Sequence, residues 1–149
     1  MIQEQMSVKG RLSVVLLDAD GKVKQSQDIP NLVVNSGLAF IASRMKDTTD
    51  AAMSHMAVGS GTTAAAAGNT ALETQIGSRV SLTSTTVTAN ATAYVATFAA
   101  GTGTGAITEA GIFNASTSGT MLCRTVFSVV NKGADDTLQI TWTITLNAA

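Results

Sequence analysis

Charge is scarce in this chain. Of 149 residues only 9 are Lys or Arg and 10 are Asp or Glu, 13% in all with a net charge of −1. That is about half the usual share of charged residues. A field this weak excludes the long-range attraction on which nucleic-acid or acidic-membrane binding depends. Aromatic residues make up only 4%, so a core must come from Val, Ile, Leu, Ala and Met, and base stacking has no platform. The single cysteine, Cys123, excludes an internal disulfide and reads as a small buried hydrophobe. One histidine, His55, is too few for a metal site with a distant cysteine. No apolar run approaches the ~18 residues that span a membrane. Met1-Ile-Gln-Glu-Gln-Met6 has neither a basic stretch nor an apolar core, so no export signal is expected and synthesis is expected in a cytoplasm.

Strand patterning is abundant. Leu138 to Leu146 alternates without a break, with Leu138, Ile140, Trp142, Ile144 and Leu146 on one face and Gln139, Thr141, Thr143 and Thr145 on the other. The apolar face, centred on the only tryptophan, is expected to close a core. The opposite face carries no charge and is a candidate subunit contact, because desolvating hydroxyls costs far less than desolvating ions. Ser7–Leu17 and Lys22–Ile29 read as a hairpin turning at Asp18-Ala-Asp-Gly21, with Pro30 ending the second strand and residues 31–35 forming a short link. Leu38, Ile41, Ala42 and Met45 follow helical spacing, which predicts one helix over Ser36–Lys46, capped by Asn35 or Ser36 and ended by residues 47–50. A short strand over Met53–Val58 leads to a low-complexity loop over residues 59–68, with a helical turn at Thr70–Ile76. Strands over Arg79–Ala89 and Ala91–Ala100 flank a turn at Ala89-Asn90. Beyond a flexible Gly101–Gly105 link, Ile107–Asn114 and Met121–Val130 form a further hairpin. Together these predict a mainly β protein: an antiparallel β-sandwich or barrel of about eight strands with one short helix. Residues 7–149 form its single domain, preceded by a flexible N-terminal arm over residues 1–6.

Convergent polar groups are few. Ser54, His55 and Asp50 make a triad only on paper, since neighbouring strand residues face opposite ways. Asp18-Ala-Asp-Gly21 opens like a calcium loop, but Ile29 stands where the closing glutamate belongs, so a turn is expected. Asp135-Asp136 reads as a solvated turn pair. Gly59-Ser-Gly61 lacks the lysine of a phosphate loop. Lys9, Arg11, Lys22 and Lys24 form the one local basic group and predict a small positive face. A glycan hydrolase would need a carboxylate pair, with Glu109 beside Glu73 or Asp50 as the available set. Glu109 and Arg124 instead fall close to opposite each other in the predicted hairpin and are expected to form a structural cross-strand pair. The sequons at Asn90 and Asn114 are read as coincidental in the absence of an export signal. No catalytic, cofactor-binding or metal-binding residue is assigned, and no small-molecule substrate is expected.

Three stretches together resemble small virion proteins of tailed bacteriophages. They are Asn31-Leu-Val-Val-Asn-Ser-Gly-Leu-Ala-Phe-Ile-Ala-Ser-Arg44, the run from Met56-Ala-Val-Gly-Ser-Gly61 to Leu72 with Arg79, and Glu109-Ala-Gly-Ile-Phe-Asn114 through Met121–Phe127 to Asn131-Lys-Gly133 and the Trp142 strand. The resemblance implies a non-enzymatic structural component of the virion. The leading expectation is a capsid decoration (cement) protein on the outer shell, bound to the major capsid protein and to copies of itself, as in trimers. The alternative is a tail-fibre or baseplate-associated module. On the first reading Met1, Ile2 and Met6 of the arm, with Gln139, Thr141, Thr143 and Thr145, are the candidate interface, and the arm is expected to order against a neighbouring chain.

Overall fold

A computed structural model describes residues 4–46 and 50–148. Nine antiparallel strands and one helix follow one another as β1 (Met6–Leu17), β2 (Val23–Val33), α1 (Asn35–Ser43), β3 (His55–Gly59), β4 (Val80–Ser81), β5 (Ser84–Thr88), β6 (Ala91–Phe98), β7 (Gly105–Phe113), β8 (Met121–Lys132) and β9 (Thr137–Ala148). The strands hydrogen-bond in the order β4-β3-β7-β8-β2-β1-β9-β6-β5. This is the expected mainly β architecture, in the form of one sheet curled into a half-barrel.

The curl follows from where the end strands lie. β4 and β5 occupy opposite ends of the sheet, yet only Leu82 and Thr83 separate them. The Leu82 amide donates to Ser54 O at 2.8 Å and the Thr83 amide to Val95 O at 2.7 Å, so one short step ties both ends together. The single strand expected over Arg79–Ala89 is thus two strands. The strand order bends again at β2. Its residues up to Asn31 pair with β1, but only Leu32 and Val33 pair with β8. Further along, β2 and β8 have no mutual ladder and are bridged by side chains: Gln25 Nε2 donates to Val129 O and Gln27 Nε2 to Ser128 O. Pro30 therefore does not end the strand. It sits where β2 exchanges partners, and its carbonyl accepts from Thr125 Oγ1 at 3.1 Å; proline is tolerated in a sheet at such irregular positions.

The core lies inside the curl. Leu12, Val14 and Leu16 of β1, Tyr94, Ala96 and Phe98 of β6, and Leu138, Ile140, Trp142 and Ile144 of β9 all point inward and are buried. The alternation along β9 is therefore the alternation of inside and outside. β3, β7 and the first half of β8 are buried on both faces. Residues 60–79 cover their outer side, where Val34, Ala57, Phe113, Met121 and Leu72 form a second, smaller cluster.

The helix begins one residue earlier than expected and ends three sooner, with Val34 as N-cap and no side-chain cap. Asn35 and Ser36 serve other partners: the Asn35 amide donates to Ala67 O and Ser36 Oγ to Met121 O. The buried stripe is Gly37 and Phe40, with Ile41 half-buried, while Leu38 and Met45 face outward. Gly37 decides this rotation, because a Cβ there would collide with the Leu122 carbonyl of β8. In an open helix Gly→Ala stabilises by about 1 kcal/mol. Here Gly37→Ala is expected to destabilise by about 1–3 kcal/mol through overpacking, measurable as a lower midpoint in urea unfolding.

The Thr70–Ile76 segment has no helical turn; it runs beside β3, bridging Gly59 to Gln75. Gly101–Gly105 is a closed connection, with the Gly101 amide bonded to Ala134 O and the Thr102 amide to Ala99 O. Of the predicted arm, Met6 is the first residue of β1, paired with Ala148. Met1 and Ile2 lie outside the described residues, as do residues 47–49 of the expected helix stop.

Candidate functional site

The most heavily connected side chain is Glu109. In the β7–β8 hairpin Phe113 stands opposite Met121, but a register shift follows, so Ile112 faces Cys123 and Glu109 faces Val126. Arg124 is thus the diagonal neighbour of Glu109 on the same face, not its direct partner. The two still meet, with Arg124 Nε and Nη2 each 2.9 Å from Glu109 Oε2. Both are buried, so this is no surface pin. Glu109 Oε1 accepts the backbone N–H groups of Gly61 at 3.0 Å and Thr74 at 2.8 Å, and Oε2 accepts that of Glu73 at 3.0 Å. Arg124 in turn donates to Asn69 Oδ1 at 3.0 Å and Thr63 O at 3.1 Å. One ion pair therefore ties five points of the irregular covering segment to the sheet. Gly61 is required at one of them, since a Cβ there would lie 2.6 Å from Glu109 Oε1.

Burial pushes the Glu109 carboxyl up, but the backbone amides of Thr74 and Glu73, the Arg124 guanidinium and the Gly61 amide outweigh it and hold the group below its ordinary range. Every lone-pair direction is engaged, which leaves Glu109 no vacancy for general acid or base work. Glu73 approaches through Arg124, 3.9 Å from Nη2.

The other singled-out residues are dispersed. Ser54 lies just before β3, where strand alternation does not apply, and its hydroxyl reaches His55 Nδ1 at 2.8 Å. Ser81 Oγ stands 3.5 Å from Nε2 on the other side. Asp18 Oδ1 accepts the amides of Asp20 and Lys22 at 2.9 Å each, and Gly21 takes φ +80°, which completes the turn. Asp136 is not solvated as expected: its side chain is buried, accepts the Gly133 amide at 2.8 Å and pairs with Lys24 Nζ at 2.9 Å. The Lys24 hydrogen bond, aided by the Gly133 amide, holds its carboxyl below the usual range. Cys123 is buried, which pushes its thiol well up. Among the described residues no group of three or more His, Cys, Asp or Glu is placed to hold a metal ion. The basic group does not form one face, because Lys9 and Arg11 lie at one end of the β1–β2 hairpin and Lys22 and Lys24 at the other.

Of the candidate interface residues, Gln139, Thr141, Thr143 and Thr145 lie on the outer face of the half-barrel, whereas Met6 shares the strand face of Leu12 and is not among them. Pairing aligns Thr86, Ala93, Thr143 and Arg11 in one row across β5, β6, β9 and β1, and Ser84, Val95, Thr141 and Ser13 in the next. Gln139 and Thr145 extend the same face, beside Thr97 and Ala91. No charged residue occurs anywhere in β5, β6 or β9. Toward β1 and β2 the face becomes a groove of about 750 Å³ lined by Thr141, Thr143, Thr145, Lys9, Arg11 and Asp28 among others. The sequence indicated the threonine row; its continuation onto β5 and β6 depends on pairing that composition alone does not fix. No family model, curated protein or solved structure matches the chain.

Proposed function

We propose that this protein is a non-enzymatic structural component of a tailed-bacteriophage virion, a capsid decoration protein that sits on the outer shell and bridges major capsid subunits. The observation that carries the reading is the charge-free outer face across β5, β6 and β9, built mainly of Thr, Ala, Ser and Val, with Gln139 at one end. Small hydroxyl and methyl side chains on a sheet are already restricted and cost far less to cover than ions do. Such a face suits permanent burial against another protein surface. Repetition over a shell turns individually weak contacts into firm attachment through multivalency. The sequence resemblance points the same way.

Copy number in purified particles tests this. Hundreds of copies per particle are expected. A handful to a few tens would instead place the protein in the tail, as a fibre or baseplate module, and its absence from particles would refute both placements.

A further inference from the structure

β1 is longer than its partner on one side. β9 pairs with it along its whole length, from Met6 opposite Ala148 to Leu17 opposite Thr137. The ladder to β2 begins only at Gly10 opposite Asn31, because β2 leaves after Asn31 to join β8. Residues 6–9 therefore have one edge without a strand partner among the described residues. In an antiparallel strand alternate residues direct N–H and C=O to opposite sides, so two of these four residues present backbone groups to the fork between β1 and β2. The 750 Å³ groove opens at this fork, lined there by Val8, Lys9, Gly10, Pro30 and Asn31. A second, smaller groove of about 400 Å³, lined by Leu32, Thr62, Ala64 and Thr125, shares only Pro30 and Asn31 with it and has no β1 residue in its lining.

We infer that this fork is a strand-addition site that receives an extended, acidic segment of a partner protein on the free edge of residues 6–9. The backbone edge provides the ladder and the larger groove provides room for side chains on one face of the added strand, as in other recognition of this kind. The charge of the occupant follows from the lining. Arg11 is 3.7 Å from Asp28, both well exposed, and Lys9 has no ion pair among the described residues. Lys9 thus leaves the groove lining with one net positive charge, while the exposed Glu4 stands outside that lining, two residues before β1. A carboxylate on the incoming strand complements Lys9. The same cation disfavours a second copy, since pairing this edge with itself brings Lys9 of both chains onto one short ladder. The inference concerns how the protein pairs and holds whether or not its partner is a capsid subunit.

The test uses the full chain and a library of about eight-residue peptides alternating Val, Thr or Ile with Glu, beside a matched library with Lys in place of Glu. The acidic library should contain binders that slow hydrogen exchange at residues 6–9. Lys9→Glu should weaken them about tenfold or more and shift preference to the Lys library, and N-methylation of the peptide backbone should abolish binding. The inference is overturned if no acidic peptide binds up to about 1 mM or if binding leaves residues 6–9 unprotected. It is also overturned if those residues become protected with rising protein concentration alone, which would identify a second copy as the occupant.

Discussion

Replacing Glu109 by Gln is expected to lower stability by about 3–5 kcal/mol, the cost of breaking a buried ion pair by removing one partner. The substitution preserves shape, so the effect isolates charge and hydrogen bonding. Glu109 accepts at both oxygens, from Gly61 and Thr74 at one and from Glu73 and Arg124 at the other. Either orientation of a glutamine amide turns its NH₂ group toward two or three N–H donors. Arg124 is left buried with Asn69 and Thr63 as its remaining close acceptors. Hydrogen exchange at Gly61, Glu73 and Thr74 should accelerate well beyond the global change, because those amides lose their acceptor. pH provides an independent check. The folded Glu109 carboxyl lies below its ordinary value, so its contribution is complete above the unfolded carboxylate pKa near 4 and is lost as pH falls through the depressed folded value. Glu109→Gln should flatten that part of the acid stability profile, measured by urea midpoints at successive pH values. An unchanged acid profile would remove Glu109 from the account of how the covering segment is held.

Trp142→Ala is expected to cost about 3–5 kcal/mol, the usual loss for a fully buried large aromatic. Trp142 is wholly buried, opposite Leu12 of β1 on one side and Tyr94 of β6 on the other, so truncation opens the centre of the inner core. The indole N–H adds a distinguishing feature, because it is buried and has no hydrogen-bond partner among the described residues. An unsatisfied buried donor costs about 1–3 kcal/mol. Trp142→Phe removes that donor while retaining much of the ring, and should retain most of the stability that Trp142→Ala loses. Urea denaturation of the two variants beside the parent protein measures both.

Legibility in the sequence followed how each strand is covered. β9 has one face on the core and one on solvent, so its period-2 pattern showed both its conformation and its buried side chains. β3 and β7 are buried on both faces, and continuous burial leaves no alternation to show which side belongs to which layer. The second layer was therefore hidden, along with the role of residues 60–79. That segment is Ala-, Thr- and Gly-rich and reads as a loose loop because its anchors are backbone amides, which every sequence possesses. The signal was on the other side, in an acidic and a basic residue embedded in the largely apolar stretches Ile107–Phe113 and Met121–Phe127. Their pairing was legible; the shift at Ile112–Phe113 that makes it diagonal, and the burial that makes it strong, were not. The helix was misread in face because periodicity weighs large apolar residues, whereas close approach to Leu122 selected Gly37. The break at Leu82–Thr83 depends on sheet closure, a long-range property that no local window contains.

The threonine face is the central functional feature, and a single charge placed on it tests the proposal most directly. Thr141 is half-buried between Val95 and Ser13 on the outer side, away from the core. Thr141→Lys should leave unfolding within about 0.5 kcal/mol of the parent, as surface substitutions usually do. Purified shells lacking the protein are incubated with parent or variant, and occupancy is measured by sedimentation and gel densitometry. The proposal predicts that the parent loads the shell and that Thr141→Lys falls to a small fraction of that occupancy. Equal occupancy by the two proteins would show that this face is not the contact.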